Sequence, residues 1–155
     1  MEYEKQDFTI GLISDTHGLL RPEAVKALRN CRAILHAGDI CDPVIIEKLG
    51  EIAPVYFVAG NMDRNPAWPR DETFELEGRT FHMLHDLNRL DLDPRAAGIE
   101  VVVFGHTHRP EAFYRDTVLY INPGSAGPRR GNLPVSVARL TFEHQRILPE
   151  FIEID

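Results

Sequence analysis

Cysteine is scarce in this sequence, and long apolar runs are missing. The two cysteines, Cys31 and Cys41, lack CxxC spacing and cannot form a framework of several disulfides. No apolar run approaches the roughly 20 residues that a membrane-spanning helix requires. These absences argue against a disulfide-rich secreted protein and against a helical membrane protein. A reducing cytoplasm is the compartment that we expect.

Basic charge is also in short supply. The chain has 17 lysines and arginines against 24 aspartates and glutamates, a formal net charge of −7 with histidine neutral. Long nucleic acid is bound mainly by Lys and Arg that neutralise phosphates, so this balance argues against it as a partner. A metal-dependent nuclease of short single strands is disfavoured as well, because the sequence lacks a stretch that combines basic and aromatic residues.

Internal repeats, low-complexity tracts and linkers rich in Pro, Gly or Ser are absent too. The 155 residues fall within the roughly 100–200 residues of a typical domain. We therefore expect one domain over residues 1–155.

Short apolar segments and helix signals alternate over the first 60 residues. The segments typical of buried strands are Phe8–Ser14, Ala33–Ala37 and Val55–Ala59, and the helix signals cover Arg21–Asn30 and Asp42–Ile52. The order β-α-β-α-β predicts a parallel sheet with right-handed crossovers.

The second half of the chain is dominated by strand patterns. A hairpin is predicted around Glu77-Gly78, and further strands are predicted at Val101–Phe104, Ala112–Tyr114, Val118–Ile121, Val135–Phe142 and Ile147–Ile154. This half is expected to be antiparallel. The predicted fold class is α/β, with two mixed β-sheets packed as a sandwich and helices on the flanks.

Polar clusters follow the predicted strands, at the points where the apolar segments end. Ligands of parallel sheets bind beyond the carboxyl ends of the strands, so these clusters can converge. The residues they supply are Asp15, His17, Asp39, Asn61, His85, His106 and His108. Carboxylate, amide and imidazole groups bind Mn, Fe, Co, Ni or Zn, and a Cys-rich structural zinc site is disfavoured. Seven donors suit two ions if one carboxylate bridges them.

The same motifs, in the same order, resemble those of the calcineurin-like metallophosphoesterases. They are Asp15-x-His17, Gly38-Asp39, Gly60-Asn61-x-Asp63, His85 and Gly105-His106-x-His108. The later sequence Asn122-Pro123-Gly124-Ser125 is similar to the small bacterial and archaeal phosphodiesterase branch. The resemblance extends over residues 15–125 and implies a four-layer arrangement of two sheets between helices.

The resemblance also implies a dinuclear metal site and a hydrolytic reaction. One ion would be held by Asp15, His17, Asp39 and His108, and the other by Asp39, Asn61, His85 and His106. A hydroxide between the ions would attack the phosphorus of a small phosphodiester or phosphomonoester, which makes Asp39, Asn61 and His106 the candidate catalytic residues. Mn²⁺ is the expected ion, with Ni, Fe, Co or Zn as alternatives, and homo-oligomers are expected to be possible.

Other polar residues are expected to support this site or to lie outside it. Asp63 is predicted to orient a neighbouring histidine, and His36 to be structural or to support a ligand. Arg129 and Arg130 either clamp a phosphate or form a solvated loop. Two further histidines, His82 and His144, are expected on exposed sheet faces.

Two positions depart from the family pattern. Met62 stands where this branch often carries Cys or His, and where the wider phosphatase group uses a His to assist the leaving group. A thioether cannot donate a proton, so slow hydrolysis of poor leaving groups is expected. Leu87 replaces the second His of a frequent His-Gly-His motif, and the preceding Asp86 either contacts a metal or caps a turn.

A non-enzymatic function is the alternative. The retromer subunit of eukaryotic membrane sorting resembles the same branch, yet it acts as a protein-interaction scaffold in which parts of the ligand set are replaced. All seven ligand types are present in this chain, which favours an enzyme. A metal-stabilised interaction scaffold remains the second hypothesis.

Overall fold

Ten strands, two short α-helices and one 3₁₀ turn make up this computed structural model, which describes residues 7–154. In chain order the elements are β1 (Phe8–Ile13), α1 (Pro22–Ala27), β2 (Ala33–His36), α2 (Val44–Gly50), β3 (Val55–Phe57), β4 (Asp71–Leu76), β5 (Arg79–Leu84), the 3₁₀ turn (Leu87–Arg89), β6 (Val101–Val103), β7 (Glu111–Arg115), β8 (Val118–Asn122), β9 (Ser136–Glu143) and β10 (Arg146–Glu153). No helix in this part of the chain is long and apolar enough to cross a membrane.

The strands form two mixed sheets of five, as the sequence predicts. The first sheet has the order β10-β9-β1-β2-β3, and the second has the order β4-β5-β6-β8-β7. Strands β1, β2 and β3 are parallel, whereas β9 and β10 return antiparallel to the first sheet. The expectation that the second half is antiparallel was wrong in part, because β5, β6 and β8 are parallel to one another. Each sheet therefore has three adjacent parallel strands, which lie at one edge of the first sheet and at the centre of the second.

Apolar side chains fill the space between the two sheets and cover both outer faces. Between the sheets, Phe81 stacks on Phe74 and meets Phe142 edge to face. The outer face of the first sheet packs against α1 and α2, and the outer face of the second packs against the segment that follows the 3₁₀ turn. Both helices are shorter than predicted, since turns replace their last residues. The flanking layers are thin, but the packed order of layers is the predicted one.

Two histidines differ from expectation in their surroundings. His82 is only 3% exposed, and its Nδ1 lies 2.7 Å from the Thr73 hydroxyl. It pairs across β5 and β6 with Val102, which belongs to the covered outer face of the second sheet, so the prediction of an exposed His82 was wrong. His144 is exposed, but it lies in the turn between β9 and β10.

Candidate metal centre

The parallel strands bring five of the predicted ligands together at one edge of the molecule. Asp15 and His17 follow β1, Asp39 follows β2, His85 follows β5, and His108 follows β6. His17 is partly exposed, and the other four are buried. Residues from both sheets thus meet at the end of the interface between them.

The donor atoms of these side chains form two overlapping groups. Asp15, His17 and His108 make one group, and Asp15, Asp39 and His85 make the other, with all donor atoms of a group within 4.8 Å of one another. The Nε2 atom of His85 lies 3.2 Å from Asp39 Oδ2 and 3.6 Å from Asp15 Oδ1. The Nε2 atom of His108 lies 3.3 Å from Asp15 Oδ1. This spacing can accommodate ions between the side chains.

Each of the two carboxylates has one oxygen held by the protein and the other directed at histidines. Asp15 Oδ2 accepts hydrogen bonds from the Ser14 hydroxyl at 2.7 Å and from the His106 backbone amide at 3.1 Å. Asp39 Oδ1 accepts one from the Met62 backbone amide at 2.9 Å. The free oxygens face the same space, so the anchoring bonds determine where a ligand would be held.

Four polar atoms of these side chains are buried and have no hydrogen-bond partner. They are Asp15 Oδ1, His17 Nε2, His85 Nε2 and His108 Nδ1. An unsatisfied buried polar group costs about 1–3 kcal/mol, and such groups are uncommon in folded proteins. Carboxylate oxygens and imidazole nitrogens are ligands of divalent transition metals. The residues present therefore fit a metal centre, and ion binding would satisfy atoms that the protein leaves unpaired.

The tautomer of His85 suits a role as a ligand. Its Nδ1 lies 2.8 Å from the carbonyl oxygen of Ala37, and a carbonyl can only accept, so Nδ1 carries the proton. In the neutral ring Nε2 is then unprotonated, and this atom faces Asp39 and Asp15. Proteins usually orient a metal-binding histidine by such a hydrogen bond from the ring nitrogen that does not bind the metal.

Electrostatics keeps both carboxylates ionised. Burial opposes ionisation of Asp15, but the His108 and His17 rings outweigh it and hold the pKa of Asp15 well below its usual range. Burial likewise opposes ionisation of Asp39, and the adjacent His85 ring together with the Met62 amide lowers its pKa. Burial lowers the pKa of His85 too, but the two carboxylates reverse this and raise it. Cations are therefore favoured between these side chains.

The backbone at this edge is strained. Six residues of the site loops have left-handed φ angles between 47° and 75°: Asp15, His17, Asp39, Cys41, His106 and His108. Each such residue other than glycine costs of the order of 1–3 kcal/mol and persists only when the surrounding structure enforces it. Five of the six are predicted metal ligands, which indicates that the conformation serves the position of the side chains.

Glycines allow the loops to approach one another. At Gly60 an added Cβ would collide with the Asp39 carboxylate, and at Gly38, with a φ of 107°, it would lie 2.7 Å from His85 Nδ1. Any larger side chain at either position would displace a candidate ligand. The Gly-Asp and Gly-Asn motifs of the sequence are explained by this packing.

Asp63 has a different role from the predicted one. Its carboxylate accepts backbone hydrogen bonds from Ile40, Cys41 and Gly60 at 2.8–3.1 Å. It therefore connects the loop of Asp39 to the loop of Asn61, and the expectation that it orients a histidine was wrong. The sequence motif correctly placed Asp63 at the site, but the motif does not distinguish backbone from side-chain partners.

His36 is buried beneath the site and supports its loops. Its Nδ1 accepts the Gly38 backbone N–H at 3.1 Å, so Nε2 carries the proton and donates to the Thr16 hydroxyl at 3.0 Å. The Thr16 hydroxyl in turn donates to the Ile40 carbonyl at 3.2 Å. His36 thus joins the loops that follow β1 and β2, which agrees with a structural role.

The remaining candidate ligands, Asn61 and His106, lie at a cavity beside the two donor groups. The His106 ring packs edge to face against His85, with ring centres 5.2 Å apart. The cavity measures about 560 Å³ and is lined by Ala59, Gly60, Asn61, Arg70, Asp71, Leu84, His85, Asp86, Arg89 and His106. Sequence reasoning missed Arg70 and Arg89, since neither belongs to a motif.

The structure also shows where the remaining residues with a sequence-based prediction lie. Arg129 and Arg130 are exposed and do not line this cavity. Asp86 Oδ1 accepts the Asn88 backbone N–H at 3.0 Å, which makes Asp86 the cap of the 3₁₀ turn. Met62 is 53% exposed, and its own backbone amide is the group that anchors Asp39.

Asn122 is a supporting residue whose role the sequence did not reveal. Its side-chain amide donates to the Gly105 carbonyl at 3.1 Å and to the Thr107 hydroxyl at 3.0 Å. Its oxygen accepts the Gly124 backbone N–H at 2.9 Å. Asn122 therefore holds the loop that carries His106 and His108.

Fold and site together define an α/β protein with two sheets and a His/Asp metal centre at their common edge. The family model for the calcineurin-like phosphoesterase superfamily domain matches residues 8–145, and the chain belongs to this superfamily. This confirms the resemblance seen in the motifs. Membership implies divalent metal cofactors.

Individual relatives agree with this assignment. The chain is 38% identical over 149 residues to a probable metallophosphoesterase of Methanothermobacter thermautotrophicus, with 86% of this chain and 87% of that protein covered. Its fold is similar to that of an archaeal phosphodiesterase (TM-score 0.77, 22% identity, 93% and 99% of the two chains). It is also similar to that of vacuolar protein sorting 29 from Cryptosporidium parvum (TM-score 0.82, 20% identity, 96% and 92% of the two chains).

Acid should destabilise the metal-free protein partly through His36. Burial lowers the pKa of this ring to about 4, from 6.5 in its ordinary state. Between pH 6.5 and 4, His36 is protonated in the unfolded chain but stays neutral in the folded protein, so the free energy of unfolding falls as pH falls. His36→Gln removes this effect, and the stability advantage of the wild type over the variant should shrink by about 3 kcal/mol between pH 7 and pH 4.

Urea unfolding in the presence of a chelator measures this difference at each pH. His144→Gln, at an exposed turn residue, is the matched control and should keep a constant difference from the wild type. If the difference in unfolding free energy between the wild type and His36→Gln did not change with pH, this would contradict the conclusion that the His36 ring is neutral and hydrogen-bonded through both nitrogens.

Proposed function

We propose that this protein is a phosphoesterase that uses two divalent ions to hydrolyse a small phosphodiester or phosphomonoester. Mn²⁺ is the preferred ion in this proposal. The observation that carries the proposal is the set of unpaired, buried donor atoms between two anchored carboxylates and three histidines. Membership of the calcineurin-like phosphoesterase superfamily supports the same activity. The two free cysteines, one of them exposed, support a cytoplasmic site of action.

The donor atoms suggest how the ligands would be divided. Asp15, His17, Asp39 and His108 would hold one ion, and Asp39, Asn61, His85 and His106 the other. The Oδ2 atom of Asp39 lies 3.7 Å from His17 Nε2 and 3.2 Å from His85 Nε2. Asp39 thus faces a histidine of each set and is suited to be the shared ligand that the family motif implies. Asp15, which is common to both donor groups, also faces both histidines, with Oδ1 3.7 Å from His17 Nε2 and 3.6 Å from His85 Nε2.

The side chains around the ions have separate tasks in this proposal. Two divalent ions held here would activate water as a nucleophile and offset the charge that develops on the phosphoryl oxygens. His106 and Asn61, which reach the cavity wall, would contact the phosphoryl group of a substrate in the cavity. Ser14 and the His106 amide keep Asp15 in place during this reaction, because they bind the oxygen that faces away from the histidines.

An interaction scaffold is the second candidate. Its support is the likeness in fold to vacuolar protein sorting 29 and the exposed, apolar Met62 beside the site. The complete donor set favours the enzyme. Metal-dependent turnover of an activated aryl phosphodiester distinguishes the two, since a scaffold would bind ions without turnover.

Asp39→Asn should abolish both ion binding and turnover. Even residues that only orient metal ligands cost about 10–100-fold when they are changed, so a shared ligand should cost at least about 100-fold in kcat/KM. Initial rates with bis(p-nitrophenyl) phosphate and Mn²⁺, together with the metal content per chain, measure both effects. Asp91→Asn removes the same charge at an exposed position and should retain both. Full activity and full metal content in Asp39→Asn would reject the shared-ligand assignment.

Hydrolysis should depend steeply on the leaving group. Because the Met62 thioether cannot donate a proton, kcat/KM should fall sharply across aryl phosphodiesters as the pKa of the released phenol rises. Met62→His should flatten this dependence, whereas Met62→Leu, which also lacks a donor, should leave it steep. A flat dependence in the wild type would show that another group protonates the leaving oxygen.

A further inference from the structure

The cavity beside the donor groups is lined by two arginines as well as by candidate ligands. Asn61, His85 and His106 are among its lining residues, and so are Arg70 and Arg89. Its volume of about 560 Å³ is typical of sites for whole small molecules, which span ~300–1,000 Å³. There is therefore room for a substituent of the substrate as well as for its phosphoryl group.

Arg70 is fixed at this cavity by the loop that carries Asn61. Its guanidinium donates to the Gly60 carbonyl at 2.7 Å and to the Asp63 carbonyl at 3.4 Å. Both partners are neutral carbonyl groups, so the positive charge is not neutralised by these bonds. The remaining N–H groups of the guanidinium are left for other acceptors.

Arg89 brings a second positive charge from the connection that follows β5, the strand paired with β4, which begins directly after Arg70. It is the last residue of the 3₁₀ turn, and its side chain is exposed. Within residues 7–154 the Arg89 guanidinium makes no hydrogen bond or ion pair. The cavity is also lined by Asp71 and Asp86, and in the described part of the chain neither of them forms an ion pair with either arginine.

We infer that Arg89 and Arg70 bind a second anionic group of the substrate, separate from the phosphoryl group that is cleaved. The substrate class is then a phosphoester whose alcohol portion ends in a carboxylate or in a further phosphate. Guanidinium groups bind both anions in bidentate fashion. This inference rests on the proposed phosphoesterase function and narrows its substrate.

Three synthetic phosphodiesters test the inference. Each has p-nitrophenol on one side, and on the other side a propyl chain that ends in a methyl group, a carboxylate or a phosphonate. The wild type should show a KM for at least one charged ester about fivefold below that of the propyl ester, the upper range for one solvent-exposed ion pair. Whichever charged ester has the lower KM identifies the preferred anion.

The KM is the chosen readout because it reports binding of the charged chain whether or not the bound ester is placed for cleavage. If the charged chain binds with the ester in a non-productive orientation, KM and kcat fall together, so tighter binding still appears as a lower KM. The preference should also weaken as NaCl is raised, since exposed charges are screened by salt.

Arg89→Gln should move the KM ratio of charged to uncharged ester toward one, because only Arg70 then remains to bind the anion. This position is preferred over Arg70, which also holds the Gly60 carbonyl. Arg95→Gln removes the same charge from an exposed residue of the same connection that does not line the cavity, and it should keep the wild-type ratio.

The outcomes separate this inference from the proposed function. If the wild type hydrolyses all three esters with equal KM, or if Arg89→Gln keeps the wild-type ratio, the anion site is refuted and the phosphoesterase remains. If the wild type hydrolyses none of them with any added divalent ion, the proposed function fails, and the inference fails with it.

Discussion

Two carboxylates in this protein are buried, ionised, and each held by only one of their oxygens. The Ser14 hydroxyl and the His106 amide hold Asp15, and the Met62 amide holds Asp39. These bonds direct the other oxygens of both side chains toward the same histidines. Two negative charges in one buried space repel each other unless cations lie between them, and this requirement explains why the donor atoms around them are arranged as they are.

The loops can carry this arrangement because the sheets beneath them are rigid. Buried strands such as β2 and β6 fix where each loop begins, and the apolar core between the sheets holds the two sets of loops face to face. The strain of the left-handed residues is concentrated in the loops, while the strands contribute the stability that offsets it. His36, Asp63 and Asn122 then connect neighbouring loops, so a change at any of them would reach the ligands.

Sequence alone predicted the two-sheet fold and the side chains that meet at its edge. Apolar strands followed by polar residues are visible in the sequence, and parallel strands must bring their carboxyl ends to one edge. The burial of His82, the backbone partners of Asp63 and the parallel pairing of β5, β6 and β8 were not predictable, because each depends on which segments pack together in space. Arg70 and Arg89 gave no signal, since they stand in loops without a motif and meet only at the cavity.

The central claim is that the donors between Asp15 and Asp39 form a site for two metal ions. Crystals grown with Mn²⁺, and an anomalous difference map measured near the manganese absorption edge, test it most directly. The account predicts two peaks per chain, about 3.5–4 Å apart, one beside His17 and His108 and the other beside His85. A single peak between these residues, or peaks only elsewhere on the chain, would contradict it.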